Sequence, residues 1–481
     1  MNTTPKQNGS APLSGAAKAR VRVAIIGGGL AGLATGCALA DAGYAVTLYE
    51  RRPYLGGRAS SYEHPGTGEV VDNCQHILLG CCTNLIEFYR RLGVQDRIKW
   101  YERLTFIEPG GRSGILEPSG LPAPFHTSMA FLKFPLLSTA DKLAVARAML
   151  ALMEHIPPDD GSDFHSWLLK HGQTQRAINR FWSPVLVSAL NEDLDQVSVY
   201  YGAMVFRDAF LKSAEAGRMG VPTVPLSDLY GAARGYIEAR GGKVLLRTSV
   251  ESFRTEGNEV IVTSAAGESI FDFVVPAVPF HALGALLPKT KASEDIVAGL
   301  EHLTTVPITG IHLWFDREIT PLEHAVLLDR TVQWMFQKSK IQSGRAHGDP
   351  VAGSYLELVV SSSKTLLDKS RGEIIDLALR ELVEFFPTVK EAKLLKGTVV
   401  KEVHATFAPA PGSDQYRLRP QSPWPHVFFS GDWTATGWPA TMEGAVRAGY
   451  ATAEAVANAA GEARRFLVPD LPARGLMKFF K

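Results

Sequence analysis

Three glycines, Gly27, Gly29 and Gly32, form a GxGxxG motif directly after a nearly all-apolar run at residues 21–26. The β-branched residues of that run favour a strand that is buried on both faces of a parallel sheet. In such a motif the first glycine permits a tight turn, the second lets the backbone approach a pyrophosphate, and the third lets the following helix pack closely. The phosphates would lie at the positive N-terminus of that helix. The predicted phosphate-binding residues are Gly27, Gly28, Gly29, Leu30, Ala31 and Gly32.

An acidic residue, Glu50, follows a second predicted strand at residues 45–49. It lies 18 residues after Gly32, where a carboxylate can accept hydrogen bonds from both hydroxyls of a ribose. A GxGxxG motif alone is weak evidence for a nucleotide site. Here the strand, the glycines, the helix, the second strand and the acid occur in the required order. The sequence therefore predicts that the chain binds a dinucleotide.

The segment after this acid, ERRPYLGGRA at residues 50–59, resembles the signature of a large superfamily. That superfamily holds flavin amine oxidases, phytoene desaturases and Rab-escort proteins. The resemblance implies that Gly57 and Arg58 lie beside the pyrophosphate of FAD, where the arginine would make a charge-assisted contact. Arg51 and Arg52 would also suit the 2′-phosphate of NADP, but the carboxylate of Glu50 would repel that phosphate. FAD is the predicted cofactor, with Arg51 among the residues that bind it.

A second motif lies about 400 residues further along the chain. An apolar run at residues 426–430 leads to Gly431 and Asp432, and Pro439 precedes a helix rich in small residues. In isolation an ordinary strand, loop and helix would fit this segment as well. It resembles the C-terminal flavin motif of the same superfamily, in which the acid meets the ribityl chain or the pyrophosphate. The resemblance implies that the helix N-terminus at Thr441 and Met442 points at the flavin ring, where its dipole would stabilise negative charge on the reduced flavin.

The fold class implied by this resemblance is α/β. A Rossmann-like FAD-binding domain of the amine oxidase and phytoene desaturase type would be interleaved with a substrate domain of mixed sheet and helices, and the backbone at Val250 would lie beside the adenine. The expected FAD-binding segments are 21–82, 221–285 and 406–462, and the expected substrate-domain segments are 83–220 and 286–405. The ends of the chain are expected to form a disordered tail at 1–20, which does not resemble a signal peptide, and a basic, apolar tail at 463–481.

Local patterns predict individual elements between the two motifs. Helices are predicted over 83–93, from Ser138 through His155, after Asp163, and over 227–239. Short strands are predicted near 243–247, 250–253, 259–263, 269–275, 309–315, 331–336 and 354–360.

Composition narrows the class of protein. The 481 residues correspond to about three domain-sized units, and 46% hydrophobic with 21% charged residues is typical of a globular protein. The formal net charge of +1 gives no reason to expect a nucleic-acid partner. No CxxC pair occurs among the cysteines, so no metal site is predicted and reduced thiols in the cytoplasm are expected. The cysteines are Cys37, Cys74, Cys81 and Cys82.

Three segments narrow the resemblance within the superfamily. QHILLGCCTN at 75–84, SALNEDLDQVS at 188–198 and GDWTATGWPATMEGAV at 431–446 look most like the hydroxysqualene dehydroxylases of bacterial squalene and hopanoid biosynthesis. This resemblance covers residues 21 to about 478. It implies an FAD-dependent oxidoreductase that reductively removes the allylic hydroxyl of hydroxysqualene, a C30 isoprenoid, to give squalene. The electron donor stays open, and an NADPH-linked donor is one candidate.

His76 is the predicted catalytic residue. Such a reaction needs an acid near the leaving oxygen, and an imidazole with an ordinary pKa of about 6.5 could protonate the hydroxyl or position it. A histidine that only bonds to backbone beside the flavin is the structural alternative. In the superfamily an Asp-x-Gly stretch lies along one face of the flavin. Here Asp72 is followed by Cys74 in place of that glycine, which makes a close backbone approach less certain.

Other functions stay open at this stage. A carotenoid desaturase or an amine oxidase would share the fold, and an amine oxidase would need an aromatic cage for its amine. A carrier of the Rab-escort type would bind prenyl groups without redox chemistry. The glycine motif, Glu50, Arg58 and Asp432 argue against that carrier because a carrier has no need of a flavin site.

A C30 isoprenoid must enter from a lipid phase, so a peripheral position on the inner face of the cell membrane is expected. No apolar run reaches the roughly 18 residues of a membrane span. Residues 462–481 carry five basic and two acidic residues interleaved with Leu476, Met477, Phe479 and Phe480. This composition suits an interfacial anchor on anionic lipid. The apolar stretch at 131–137 is a second expected contact, because Lys133 within it could extend its ammonium to the lipid headgroups. A solvated tail that packs a few apolar residues on the body is the alternative.

Overall fold

The computed structural model describes residues 20–342 and 353–480, so the tail predicted at 1–20 lies, apart from Arg20, outside the described residues. The strands are β1 Arg22–Ile26, β2 Ala45–Tyr49, β3 Ser61–Glu63, β4 Val70–Asp72, β5 Leu78–Leu79, β6 Ile98–Tyr101, β7 Leu104–Ile107, β8 Ser113–Leu116, β9 Met219–Pro222, β10 Lys243–Leu245, β11 Val250–Glu256, β12 Glu259–Ser264, β13 Gly267–Phe271, β14 Phe273–Pro276, β15 Thr305–Phe315, β16 His324–Leu327, β17 Trp334–Gln337, β18 Tyr355–Ser361 and β19 Leu394–Phe407.

The α-helices lie between groups of these strands along the chain, and α3 to α8 follow one another without an intervening strand. They are α1 Leu30–Asp41, α2 Thr83–Leu92, α3 Ser128–Lys133, α4 Thr139–Glu154, α5 Phe164–Lys170, α6 Gln175–Ala177, α7 Ser183–Leu190, α8 Val199–Val205, α9 Leu226–Glu238, α10 Phe280–Leu283, α11 Lys291–Leu300, α12 Lys338–Ile341, α13 Arg371–Phe385 and α14 Met442–Ala459.

The first sheet is parallel, with the strand order β10-β2-β1-β14. In β1, Val23 and Ile25 belong to one apolar cluster, and Ala24 and Ile26 belong to another. Because alternate side chains of a strand point to opposite faces, β1 is buried on both sides. This confirms the parallel sheet that the apolar run before the glycine motif predicts.

Predicted helix ends are confirmed at several caps. Helix α2 ends at Gly93, whose φ of 70° is left-handed. Ser138 caps α4, because its hydroxyl accepts the Asp141 N–H while the Asp141 carboxylate accepts the Ser138 N–H. Asp163 caps α5 by accepting the N–H of Ser166. These side chains satisfy N–H groups that the first turn of a helix leaves without partners.

Two predicted strands differ from the structure. The single strand predicted at 269–275 is split at Asp272 into β13 and β14, which belong to different sheets. The carboxylate of Asp272 accepts the Arg22 N–H at 2.7 Å and pairs with the Arg22 guanidinium at 2.8 Å, so this residue ties the break to β1. The apolar run at 426–430 makes backbone hydrogen bonds to β14 but forms only isolated bridges. Pro425, directly before the run, has no N–H to extend a ladder.

The second large sheet is mixed and has the order β19-β15-β18-β17-β16-β7-β8. Its strands β16 and β7 run parallel, and its other neighbouring strands run antiparallel. One face packs against α13 through an apolar cluster that includes Leu382 and Phe385. Strand β18 is buried along its whole length. A further layer of helices, α4 to α8, surrounds an aromatic cluster at Phe164, Trp182 and Phe206.

Candidate active site

The glycine motif forms a tight turn between β1 and α1. Gly27 adopts a φ of 117°, and its N–H donates to the Tyr49 carbonyl at 2.8 Å. A Cβ placed on Gly32 would lie 2.0 Å from the Gly27 carbonyl oxygen, so only glycine fits there. Helix α1 begins at Leu30, directly after Gly29. The unpaired N–H groups of this helix terminus are therefore placed to bind an anion.

Glu50 lies beside this turn with 7% of its surface exposed. Its Oε2 accepts the Gly28 N–H at 2.7 Å and its Oε1 accepts the Arg52 N–H at 2.8 Å. A carboxylate has about four acceptor positions, so the side chain keeps capacity for two ribose hydroxyls. The backbone bonds hold it in place before any ligand binds.

The Gly-Gly-Arg turn is attached to the glycine motif by backbone contact. The Gly56 N–H donates to the Gly28 carbonyl at 2.8 Å. Gly57 has a φ of 64°, and a Cβ on it would lie 3.0 Å from Gly29 Cα. The two turns therefore meet through backbone alone, and neither Gly29 nor Gly57 places a side chain over the cavity that both of them border.

An ion pair joins the N-terminal and C-terminal motifs. Arg58 Nη2 lies 2.6 Å from Asp432 Oδ1, and Arg58 Nη1 donates to the Ala405 carbonyl at 2.8 Å. The side chain of Asp432 is 8% exposed and that of Arg58 is 33% exposed. The pair brings residues 374 positions apart to the same wall of the site. The contact of Arg58 with a pyrophosphate stays a prediction.

Helix α14 also starts at the wall of this site. The Thr441 hydroxyl accepts the Gly444 N–H at 3.0 Å and caps the helix. The Tyr230 hydroxyl lies 3.1 Å from the sulfur of Met442, which fixes the first helical side chain. The helix has 18 residues, and its N-terminus faces the cavity described next.

A cavity of about 530 Å³ connects these features, within the usual size range of ligand sites. Glu50, Val250, His76 and Met442 all line this cavity. Most of the predicted cofactor residues border this first cavity; they are Gly27, Gly29, Leu30, Ala31, Glu50, Arg51, Gly57, Arg58, Val250, Gly431, Asp432, Thr441 and Met442. Gly28 and Gly32 do not border it. Gly28 instead contacts Glu50 and Leu55, and Gly32 packs against Gly27.

A second cavity of about 170 Å³ adjoins the first and is almost entirely apolar. The two share five lining residues, Ile77, Ser188, Ala189, Thr441 and Met442. Its other walls come mainly from apolar side chains of the helical layer, α2, β7 and β17, including Leu85, Phe106, Val185, Met204, Phe210 and Trp334. Cys81 and Cys82 also line it. An uncharged, apolar ligand fits such a wall best.

The acidic residues of the second cavity already have partners. Glu443 Oε2 accepts the Leu85 N–H at 2.7 Å, and its Oε1 lies 2.6 Å from the Arg447 Nε. Burial raises the pKa of the Glu443 carboxyl. Asp208 pairs with Lys212 at 3.0 Å. Glu443 thus ties the first turn of α14 to the start of α2, a role that its place in the sequence MEGAV does not reveal.

Asn191 connects the helical layer to the large sheet at the cavity wall. It has a φ of 56° and ends α7. Its Nδ2 donates to the Val306 carbonyl at 3.1 Å and to the Thr406 hydroxyl at 2.9 Å, and its Oδ1 accepts the Ser362 N–H at 2.8 Å. Asn191 lies in the segment 188–198, which carries part of the family resemblance, but the sequence alone indicates no role for this residue.

His76 borders the first cavity, and its Nδ1 lies 2.7 Å from the Cys74 carbonyl oxygen. Burial lowers the pKa of the imidazole. A neutral ring whose Nδ1–H donates to that carbonyl has its acceptor at Nε2. Of the two roles predicted for His76, this arrangement favours positioning of a hydroxyl.

The two tryptophans near the C-terminal motif occupy different environments. Trp433 is 1% exposed, borders neither cavity, and donates from Nε1 to the Val278 carbonyl at 2.9 Å. Trp438 lines the second cavity, but the guanidinium of Arg447 already lies 4.6 Å from its ring centre. Trp433 is therefore not placed to contact a ligand in either cavity.

Comparison with known proteins identifies the family. Residues 30–457 match the family described as flavin containing amine oxidoreductase. The chain belongs to this family. It is 30% identical over 474 residues to the 15-cis-phytoene desaturase of Synechococcus elongatus, covering 92% of this chain and 98% of that protein. It is 28% identical over 488 residues to the zeta-carotene desaturase of Zea mays, covering 92% of this chain and 84% of that protein.

Solved structures confirm the predicted α/β fold class. Putrescine oxidase bound to putrescine is 18% identical, with a TM-score of 0.66 over 92% of this chain and 99% of that chain. Cyclohexylamine oxidase from Brevibacterium oxydans is 17% identical, with a TM-score of 0.66 over 92% of this chain and 100% of that chain. At this level of identity the likeness concerns the fold alone.

The family establishes an FAD-dependent oxidoreductase and confirms FAD as the cofactor predicted from the sequence. Three features of the site fit that cofactor: the side-chain-free cradle at Gly29 and Gly57, the acceptor capacity of Glu50, and the N-terminus of α14. Among residues 20–342 and 353–480, no helix is both long enough and apolar enough to cross a bilayer.

Proposed function

We propose that this enzyme carries out a two-electron reaction on a long, apolar isoprenoid. The main support for this proposal is the apolar second cavity. It adjoins the first cavity at Ile77, the residue after His76, and at the N-terminus of α14. The most similar proteins described above are named as desaturases of carotenoids, which are isoprenoids of this kind. Within this proposal, the reactions to be compared differ in the bond of the isoprenoid that reacts.

Two reactions are compatible with this site. A desaturation would convert a C–C single bond to a double bond and release two electrons and two protons to an oxidant. A reductive dehydroxylation of hydroxysqualene would replace a hydroxyl with hydrogen and release water, taking up two electrons and two protons. The relatives named above favour the first reaction. The imidazole of His76 at the cavity and the resemblance of three segments to hydroxysqualene dehydroxylases favour the second.

The described residues have separable roles in either reaction. FAD, when bound, supplies the exchange of hydride. Glu50 and the turns at Gly29 and Gly57 would hold its ribose and pyrophosphate. The apolar walls of the second cavity would exclude water and orient the chain. For a hydroxylated substrate, Nε2 of His76 would accept a hydrogen bond from the hydroxyl and so hold the C–O bond in one orientation.

Product analysis separates the two reactions. We expect the chemically reduced protein, incubated without oxygen with hydroxysqualene, to form squalene if dehydroxylation is the reaction. We expect the oxidised protein with a quinone to convert 15-cis-phytoene to a more unsaturated product if desaturation is the reaction. Conversion of neither substrate, with FAD bound, would contradict an isoprenoid substrate of these two types.

Amine oxidation is less well supported by the cavity. The acids that border the second cavity, Asp208 and Glu443, pair with Lys212 and Arg447. Aromatic side chains line this cavity, among them Phe106, Phe210 and Trp334, but each described carboxylate there is already paired with a basic side chain and is not left to balance the charge of an amine. The similarity in fold to putrescine oxidase does not imply that the two enzymes share a substrate. A prenyl carrier without redox chemistry is disfavoured by the family assignment.

We further propose that the division of the chain into FAD-binding segments 21–82, 221–285 and 406–462 and substrate segments 83–220 and 286–405 reflects these roles. The parallel sheet with β1, β2, β10 and β14 lies within the first group. The electron donor or acceptor stays unassigned, and an NADPH-linked donor would suit only the reductive reaction.

We also propose that the protein binds the membrane surface through an apolar patch near its C-terminus. Leu476 and Phe479 are 46% and 81% exposed, whereas Met477 is buried in the helical layer. The Leu476 N–H donates to the Ala123 carbonyl, which places the exposed side chains of residues 121–132 beside them. These side chains are Leu121, Phe125, Met129 and Leu132. Exposed apolar residues of this number on one surface suit a lipid interface.

Basic side chains accompany the patch, because Lys133, Arg474 and Lys478 are exposed. The Arg474 N–H donates to the Lys212 carbonyl at 2.9 Å, two residues after Phe210 in the wall of the second cavity. The patch is thus close to the apolar cavity, as an isoprenoid entering from a membrane would require.

Two substitutions test this patch without removing the tail. We expect full-length protein to sediment with anionic vesicles and salt to weaken the binding. The Leu476→Glu/Phe479→Glu protein should bind at least about tenfold more weakly, because burying each side chain is worth about 1.5–3 kcal/mol. Ile270→Glu is the matched control, because Ile270 is 47% exposed on β13. Equal vesicle binding by all three proteins would contradict the patch.

A further inference from the structure

A buried cluster of charged side chains lies behind one wall of the first cavity. The side chains of Lys338, Asp72 and Glu357 are at most 1% exposed. The Nζ of Lys338 lies 2.6 Å from Asp72 Oδ2 and 3.2 Å from Glu357 Oε2. Its third contact is to Gln75 Oε1 at 2.7 Å. The ammonium of Lys338 is therefore in contact with two carboxylates and one amide oxygen.

The four residues come from separate parts of the chain. Asp72 ends β4, Lys338 begins α12, and Glu357 lies in β18 of the large sheet. Gln75 belongs to the cavity loop, residues 73–77, which lines the first cavity. The contacts of Lys338 therefore join the cavity loop to the second large sheet, in addition to the hydrogen bond from Asn73 Nδ2 to Glu402 in β19.

Stability alone does not account for this cluster. Each buried charge loses hydration worth several kcal/mol, and apolar side chains of similar volume are often equally stabilising in such places. Apolar side chains cannot fix the orientation of a neighbouring polar group. A hydrogen bond from Lys338 to Gln75 specifies the position of the cavity loop, whereas apolar packing there would allow it to shift.

Gln75 passes this constraint to its neighbour. Its Oε1 accepts from Lys338, and its Nε2 donates to the His76 carbonyl at 3.1 Å. The ring of His76 has a contact of its own, because its Nδ1 bonds to the Cys74 carbonyl. The backbone and the ring of His76 are thus both tied to groups next to the Lys338 cluster.

We propose that Lys338 and Gln75 are positioning residues that hold the imidazole of His76 in place at the first cavity. This inference rests on the role of His76 in the proposed function. Neither residue needs to touch the isoprenoid. Lys338 anchors the loop, and Gln75 transmits the anchor to the peptide of His76.

The test replaces the link and leaves the charged cluster intact. Gln75→Leu removes one of the acceptors of Lys338 and the donor to the His76 carbonyl, and it keeps Lys338 paired with Asp72 and Glu357. Gln342→Leu is the matched control. Gln342 is 3% exposed and its Nε2 lies 3.5 Å from Asp72 Oδ2, but it borders neither cavity and donates to the Val224 carbonyl.

Two measurements are made on the full-length, FAD-loaded protein. The first is the NMR signal of His76 in ¹³C-histidine-labelled protein, assigned by its loss in His76→Gln. The second is kcat with the isoprenoid that the product analysis identifies. We expect Gln75→Leu to keep its FAD, to shift or broaden the His76 signal, and to lose about 10²-fold in kcat, the usual effect of misplacing a group by about 1 Å. Gln342→Leu should change neither quantity.

An unmoved His76 signal in Gln75→Leu, or equal changes in both variants, would overturn the proposal. Loss of turnover without any change at His76 would overturn it as well. If wild-type protein converts neither isoprenoid, the proposed function fails, and the NMR signal alone still decides whether Gln75 positions His76.

Discussion

The Glu50→Arg protein should be purified with almost no FAD. The substitution removes the acceptor for the ribose hydroxyls and leaves the Gly28 and Arg52 N–H groups without their carboxylate. It also places a third positive charge beside Arg51 and Arg52. A hydrogen bond to a charged group contributes about 1.5–3 kcal/mol, so the loss of two should weaken FAD binding by about 10²-fold or more. The ratio of flavin absorbance to protein, and titration of the apoprotein with FAD, measure this effect.

Glu251→Arg is the control for the added charge. Glu251 borders the same cavity but is exposed, and the structure gives it no role in holding the glycine turn. This variant should retain FAD at close to one equivalent. Circular dichroism should show that both proteins are folded. A Glu50→Arg protein with stoichiometric flavin would show that Glu50 does not bind the cofactor.

The His76→Ala protein should bind FAD normally and turn over about 10²–10⁴-fold more slowly, the range expected for a proton-transferring or hydroxyl-orienting side chain. Burial lowers the pKa of the His76 imidazole, so the ring is neutral at neutral pH. If Nε2 accepts the substrate hydroxyl, protonation removes the acceptor and kcat should fall as the pH drops through this lowered pKa. If His76 is a general acid, kcat should instead rise over the same interval.

The pH dependence of kcat with wild-type and His76→Ala protein therefore distinguishes the two roles, because the His76-dependent limb should vanish in the variant. His281→Ala is the matched control. His281 also borders the first cavity, and burial also lowers the pKa of its ring. Its ring centre lies 4.7 Å from that of His404, and the two rings are tilted relative to each other. Near-normal turnover by His76→Ala would reduce His76 to a packing role.

The nucleotide-binding part of the enzyme was predictable because its requirements are local. A turn that approaches a phosphate needs glycine at fixed positions, and Gly27 and Gly32 have the conformation and close contacts that the motif implies. Glu50 lies at the end of β2 because a short strand and a helix of ordinary length separate it from the glycines. Helix caps such as Ser138 and Asp163 are local for the same reason.

The C-terminal motif was predictable only through its resemblance to a family. Its apolar run makes no regular strand, and nothing in the run itself specifies the partner β14. Asp432 meets Arg58 across 374 residues of sequence. That pairing follows from the return of the chain to the parallel sheet, since both residues then lie at the same edge.

Only the tertiary structure revealed the groups that surround the apolar cavity and support His76. Lys338 lies in the sequence QKSK, which is typical of a solvated surface, yet its ammonium is buried between Asp72 and Glu357. Glu443 likewise looks like an ordinary acid in the first turn of a helix but binds the start of α2. Buried ion pairs join residues far apart in the chain, so they leave no periodicity or spacing to detect. Turns and helix caps can be predicted from sequence because they depend on neighbouring residues. The positions of these buried charges depend instead on how sheets and helices pack around them.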